Sequence, residues 1–305
     1  AWTFSAGVIG DLPITYQWYQ NGLPLAGATT AGLAFTSLDP TNAGDYQLHV
    51  TNSLGWSTST VARLDFHAFP PASITNSMIS YWPLDAALGT KTVDLVRGYD
   101  MTLVNLYASN AVPGRWGNAF QFNGTIASSM ERIHGTNDAM PVYKHPDFTV
   151  SLWVNALPQT DKRVYAEGNT TNGNTLFDLG THSGGADGTV DLYVRSDGNV
   201  TATDHRRSVA TAYDGNWHNV VYVQRDVGNG NMRAQLWIDG VLDPVVIAPI
   251  RPLNPNTTAF GALRRASTSA NFTGLIDEVA TWNRALSPEE IGILQVTAIT
   301  NPPSQ

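Results

Sequence analysis

Ala234-Gln-Leu-Trp-Ile238, followed by Asp239-Gly240 and Val241, decides the class of fold. The alternating run makes a strand, and the Asp-Gly pair predicts a two-residue type I′ turn, which needs φ > 0 at both central positions. Outward from that hairpin, strand character returns in Phe148-Thr-Val-Ser-Leu-Trp-Val154 and Val220-Val-Tyr-Val223, with turn residues between. Strands recurring in this way predict an all-β chain built from sandwiches. One segment reads as helix, Ser287-Pro-Glu-Glu-Ile-Gly-Ile-Leu294, where Ser287 caps, Pro288 suits the first position and Glu290 completes a capping box. It is a short addition to a β-fold.

Composition narrows the partners. The chain has 305 residues, 17 Lys+Arg against 25 Asp+Glu, and a net charge of −8. No basic run extends beyond Arg206-Arg207 and Arg264-Arg265, which argues against nucleic acid. No apolar run approaches the ~18 residues that cross a bilayer, so membrane insertion is not expected. The absence of cysteine removes thiol catalysis, thiolate metal sites and disulfides together. A low-charge sequence rich in Thr, Asn and Gly is associated with secreted or cell-surface bacterial β-proteins. With no charged-then-apolar leader, residue 1 is expected to be a processed or truncated start.

Prolines punctuate the chain. His67-Ala-Phe-Pro-Pro-Ala-Ser73 reads as a stiff linker, and Asn301-Pro-Pro-Ser304 resembles it. The expected division is a domain over 1–66, a linker over 67–78, a larger domain over 79–296, and a tail or strand of a following module over 297–305.

Tyr16-Gln-Trp18, Leu33-Ala-Phe35 and Asn42-Ala-Gly-Asp-Tyr46-Gln-Leu-His-Val-Thr-Asn52 resemble bacterial immunoglobulin-like repeats. The resemblance implies that Trp18 is a core residue and that Tyr46 forms a tyrosine corner. It also implies that Leu48, with Phe4 or Ala6, stands where antibody-type domains carry a disulfide. The family's opening strand A is missing, whereas Ile299-Thr-Asn-Pro-Pro-Ser-Gln305 matches its form. Either the chain is a piece of a tandem array, or its tail completes the sheet of a further copy of itself, since an open sheet edge invites pairing.

Residues 79–296 resemble the laminin-G-like, concanavalin-A-like jelly-roll family. The matching blocks, in order, are Ile79-Ser-Tyr-Trp-Pro-Leu-Asp85, Val93-Asp94, Gly117-Asn-Ala-Phe-Gln-Phe-Asn-Gly124, Phe148 to Val154, Trp217-His-Asn-Val-Val221, Leu236 to Gly240, and Phe272-Thr-Gly-Leu-Ile-Asp-Glu-Val279 with Trp282 to Ile291. In a jelly roll the first and last strands are neighbours, which brings Asp85 and Asp277 together with Asp94 on a nearby turn. Relatives carry a structural calcium in this region, and Ca²⁺ takes six to eight oxygen ligands. The alternative is that these carboxylates cap turns by accepting backbone N–H bonds. Glu278 and Arg284 are expected to pair with each other or with strand ends, and His218 to be a hydrogen-bonded rim or core group.

The same fold hosts glycoside hydrolases and polysaccharide lyases. Retaining glucanases need an alternating Glu-x-Asp-x-x-Glu set, and no such spacing occurs here. Neither a Gly-x-Ser-x-Gly elbow nor a His-Glu-x-x-His motif is present. His134, Lys144 and His145 in one polar insertion are the only residual candidates, so the chain is read as non-catalytic. Most of the nine tryptophans fall on core strands. Specificity is therefore assigned to loops 126–147, 166–187, 197–210 and 262–271, where His205 supplies a donor and Arg206, Arg207, Arg264 and Arg265, with Tyr193, suit a carboxylated or sulfated glycan. The alternative for these arginines is ordinary solvated charge. The functional expectation is an extracellular carbohydrate-binding or adhesion module of a larger protein. The competing expectation is a structural repeat of a surface protein or fibre.

Overall fold

A computed structural model describes residues 2–35, 42, 44–64, 72–197, 203–229, 231–248 and 253–299. The chain divides into two compact units, Ala1–Ala68 and Phe69–Gln305. Residues 67–71 of the expected linker and 300–305 of the expected tail lie outside the described residues.

In the first unit, Trp2–Ser5 pairs antiparallel with Gly32–Phe35. A second sheet runs in the order Leu23–Pro24, Thr15–Gln20, Gly44–Asn52, Gly55–Thr58, and Ala62–Leu64 also pairs with Gly44–Asn52. The sheets close on Trp18, Tyr46 and Leu48, all buried. Phe4 fills the space opposite them, its ring 4.9 Å from Tyr46 and 5.9 Å from Trp18. Tyr46 Oη donates to Asn42 O at 2.7 Å, the bond that makes a tyrosine corner. Apolar packing thus occupies the place of a disulfide.

The second unit is two stacked sheets. The first runs Ala111–Pro113, Asn118–Phe122, Gly274–Trp282, Phe148–Asn155, Trp217–Gly228, Asn231–Ile238, Val241–Leu242, and Met78–Trp82 also pairs with Gly274–Trp282. The second runs Thr203–Thr211, Thr189–Arg195, Leu176–Thr181, Arg163–Gly168, Thr257–Phe260, Ser129–Ile133, Met101–Val104, Lys91–Thr92. Asp239 and Gly240 have φ of 51° and 74°, the left-handed pair that a type I′ turn requires. Between the sheets lies one apolar core, in which Trp82 meets Phe260 edge-on at 5.0 Å and Phe148 meets Phe177 at 5.7 Å.

The two sheets differ in what covers them. Tyr81, Val221, Trp237 and Trp282 project from the first sheet's outer side and are sealed beneath Leu286, Ile291 and Leu294 of the C-terminal helix region. That helix, Pro288–Ile293, carries the Ser287–Glu290 capping box. A second helix, Ala72–Thr75, was not expected; it contributes Ile74 to the same cover. Ile299, the first residue of the segment matched to a strand A, is also buried there, against its own unit. The outer side of the second sheet is covered only in part: among the described residues a small hairpin, Leu263–Arg264 with Thr268–Ser269, lies over its centre, where Ala166, Leu176 and Asp178 are buried, while Tyr193, Arg195 and His205 stay partly exposed. This hairpin sits so close that a Cβ on Gly168 would be 2.5 Å from Arg264 O.

All four segments expected as loops contain strands: Ser129–Ile133, Leu176–Thr181, Thr203–Thr211, and the hairpin of Leu263–Arg264 with Thr268–Ser269. Leu176–Thr181 is buried on both faces, so its sequence does not alternate. Thr203–Thr211 is an edge strand, and edge strands carry charge that blunts further pairing, which disguises them as loops.

Candidate functional site

Register across the second sheet sets which side chains share its outer side. His205, Tyr193, Asp178, Ala166, Ala259 and Glu131 stand in one transverse row. On either flank the same strands present Asp191 with Arg207, and Arg195. The alternate residues Leu192, Val194, Phe177 and Phe260 enter the core, so the polar row follows from period-2 geometry.

Tyr193 and His205 stack with ring centroids 4.5 Å apart and an interplanar angle of 22°. His205 Nε2 lies 2.8 Å from the buried carboxylate of Asp191 and 3.2 Å from Ser183 Oγ. The imidazole is fixed from beneath while it and Tyr193 stay partly exposed. Next in the row, Asp178 is fully buried, and burial pushes its carboxyl up to about 7 although Arg163 stands beside it. Arg163 Nε is 2.8 Å from Asp178 Oδ2, an ion-pair distance without hydrogen-bond alignment, and Asp178 Oδ1 has no partner. Beyond the hairpin the same side continues into a cleft of about 360 Å³ lined by Lys91, Thr102, Glu131 and Arg264.

The arginines named from sequence separate here. Arg206 and Arg207 are adjacent in an extended strand and so point to opposite sides. Arg206 pairs with Asp204 at the core-side margin, and Arg207 pairs with Asp187 on the outer side. They do not act as a double clamp. Arg264 lies 3.3 Å from Glu131. Arg265 instead donates to Gly173 O at 2.7 Å, and Arg195, which the sequence reading passed over, donates to that same carbonyl. Tyr193 lies beside them. His205, which the sequence reading named as a donor on loop 197–210, and Asp178, which it did not name, are brought into the row by register.

The three aspartates assigned to calcium also separate. Asp94 Oδ1 accepts from the N–H groups of Tyr81 and Val96, and Oδ2 from those of Arg97 and Tyr99, all within 3.0 Å. That carboxylate is a turn cap with its oxygens occupied, which corrects its place in the ligand set. Asp85 and Asp277 instead hold the 114–118 turn from two directions. Asp277 Oδ2 accepts from Arg115 N and Trp116 N, and Asp85 Oδ1 accepts from Asn118 N. Asp277 Oδ1 is buried without a hydrogen-bond partner, and burial, with Asp85 nearby, pushes the carboxyl up to about 7. Among the described residues no three His, Asp or Glu side chains gather as a metal cluster. The part of the set that fits a hard cation is Asp277 with Asp85.

Other expectations resolve as contacts. Glu278 does not pair with Arg284: it accepts from Tyr81 Oη at 2.8 Å, while Arg284 engages Glu290. Glu278 sits at a bulge with φ of 52°, and its side chain meets Tyr81 Oη instead of Arg284. His218 bridges Asp214 and Asp239. His134 bonds Thr258 Oγ1, Lys144 reaches Met140 O and His145 bonds Ala139 O, so these three serve separate local contacts.

Residues 134–292 match the sequence model of the concanavalin A-like lectin/glucanases superfamily, more than half of the chain. The chain belongs to that superfamily. No curated protein matches it. Among solved structures, it is similar to domain 4 of an extracellular arabinanase from Geobacillus stearothermophilus, solved with arabinotriose, at 19% identity and TM-score 0.48, covering 72% of this chain and 98% of that one. It is also similar to the binding domain of botulinum neurotoxin DC, solved with rat synaptotagmin II and with SialylT, at 15% identity and TM-score 0.51 in both cases. Those alignments cover 73% of this chain and 52% of the toxin domain, so the chain spans about half the toxin domain's length. At these identities the likeness concerns the superfamily fold. No helix among the described residues is long and apolar enough to cross a membrane.

Proposed function

We propose that the C-terminal unit is a non-catalytic glycan-binding module of an extracellular protein, with its ligand on the partly exposed margin of the second sheet's outer side. The supporting observation is the stacked Tyr193–His205 pair, held by Asp191 where that side stays partly exposed beside the hairpin. Sugar rings bind through apolar stacking on an aromatic face with polar groups at its edge, and Asp191, Ser183 and Arg207 supply such an edge. Catalysis is not part of the reading: Asp178 has no solvent exposure and faces Arg163, so it is placed as a structural charge rather than an acid within reach of a substrate.

A glycan array probed with the whole chain tests this. Tyr193→Ala is expected to weaken binding roughly five- to thirtyfold, since loss of a stacking ring removes on the order of 1–2 kcal/mol. Retention of the same glycans at the same strength by Tyr193→Ala would place the ligand elsewhere.

For Ca²⁺ we assign Asp85 and Asp277, without Asp94. The expected result is a lower melting temperature of the wild-type chain in EDTA and no EDTA effect in Asp277→Asn. Coincident wild-type curves with and without EDTA would remove the ion from this unit.

A further inference from the structure

The arginines on the outer side of the second sheet are nearly all neutralised by a carboxylate. Arg163 has Asp161 and Asp178, Arg207 has Asp187, and Arg264 has Glu131. Arg195 and Arg265 are different. Both are partly exposed, both donate to Gly173 O, and among the described residues neither has a carboxylate within ion-pair distance. Two guanidinium groups are thus gathered at one carbonyl with no carboxylate in ion-pair contact among the described residues.

Burial, and after it the charge of Arg195, disfavour the charged form of Arg265, while Asp178 favours it. The fold holds the two arginines together by fixed geometry. Arg195 lies on the sheet two residues from Tyr193, and Arg265 is carried on the hairpin clamped over Gly168. A guanidinium carries five N–H donors in a planar fork, so a bond to Gly173 leaves donors on each for an oxyanion. The separation of Tyr193 from Arg195 along the strand is roughly 7 Å, comparable with one sugar unit.

We propose that Arg195 and Arg265 form an anion clamp that selects a saccharide bearing a carboxylate or sulfate group, with the sugar ring on Tyr193. The inference rests on the glycan reading above and adds its charge class. An acidic polypeptide offers the same anion but no ring for the platform, which is why the glycan is favoured.

Affinity measurements on the whole chain with oligogalacturonate, a sulfated galactan, neutral galactan and polyglutamate, together with an array of acidic and neutral glycans, separate the cases. Acidic saccharides are expected to bind at least tenfold more tightly than neutral ones, and the preference to shrink as salt is raised. A preference for uronate over sulfate, or the reverse, identifies which oxyanion the clamp takes. Arg195→Gln with Arg265→Gln is expected to abolish the preference while neutral binding stays within about twofold. Because those changes also release Gly173, Ser267→Asp supplies a second route: it places a carboxylate beside Arg265 with both arginines intact, and should remove the preference equally. Neutral glycans binding as well as acidic ones would overturn the clamp and leave the glycan reading standing. No retention of any glycan would overturn both, and polyglutamate binding as tightly as the acidic saccharides would assign the clamp to protein.

Discussion

Asp94→Ala is expected to lower the melting temperature of the C-terminal unit by roughly 10 °C. Four backbone N–H groups, on Tyr81, Val96, Arg97 and Tyr99, converge on this one side chain. Alanine leaves all four without their acceptor. A buried donor left unsatisfied costs about 1–3 kcal/mol, less where water can enter, and Arg97 and Tyr99 are near enough to solvent for partial rescue. A total of about 3–5 kcal/mol follows. Asp94→Asn should not restore stability, because it turns an NH₂ group toward two N–H donors. Thermal unfolding of the three proteins checks this. A shift of only a degree or two in Asp94→Ala would show that the turn re-forms without its cap.

Trp82→Ala is expected to cost about 3–5 kcal/mol, as large aromatic truncations in well-packed cores do. Trp82 is fully buried on the first sheet, its ring against Phe260 of the second, and its Nε1 donates to Tyr99 O at 3.1 Å. The cavity would lie between the sheets, where neither can move inward without disturbing the register of its neighbours. Trp82→Phe should fall between, retaining ring packing and losing the hydrogen bond, at about 1–2 kcal/mol. Denaturant midpoints with unchanged slopes would report these as stability differences. Equal midpoints for wild type and Trp82→Ala would mean that the sheets close over the gap.

Both substitutions fall in blocks marked by their order in the jelly-roll resemblance, as does Trp282, whereas the strand from Phe148 was legible from its own alternation. The same holds for the Asp239-Gly240 turn, whose φ requirement is local, and for the Ser287–Glu290 cap, which needs only four residues. Trp18 and Tyr46 of the first unit were legible through the resemblance to immunoglobulin-like repeats.

The site residues were less legible. Arg206-Arg207 attracts notice as a dipeptide, yet a strand sends the two in opposite directions. Arg195 attracts none, because its partner Arg265 lies 70 positions away and the two meet only through a hairpin folded onto a glycine. Asp94, Asp85 and Asp277 were drawn together by family order, but which oxygen is free and which is spent depends on the N–H groups around each.

What the sequence by itself determined is the all-β architecture and the local turns and caps, set by periodicity or by conformational demands within a few residues, and the main core positions, marked by the order of the resembling blocks. What only the tertiary structure decided is which part of which sheet stays exposed and which charges remain there without a partner. Coverage and charge pairing depend on distances between residues remote in the chain, and those distances exist only once both sheets have closed on their core.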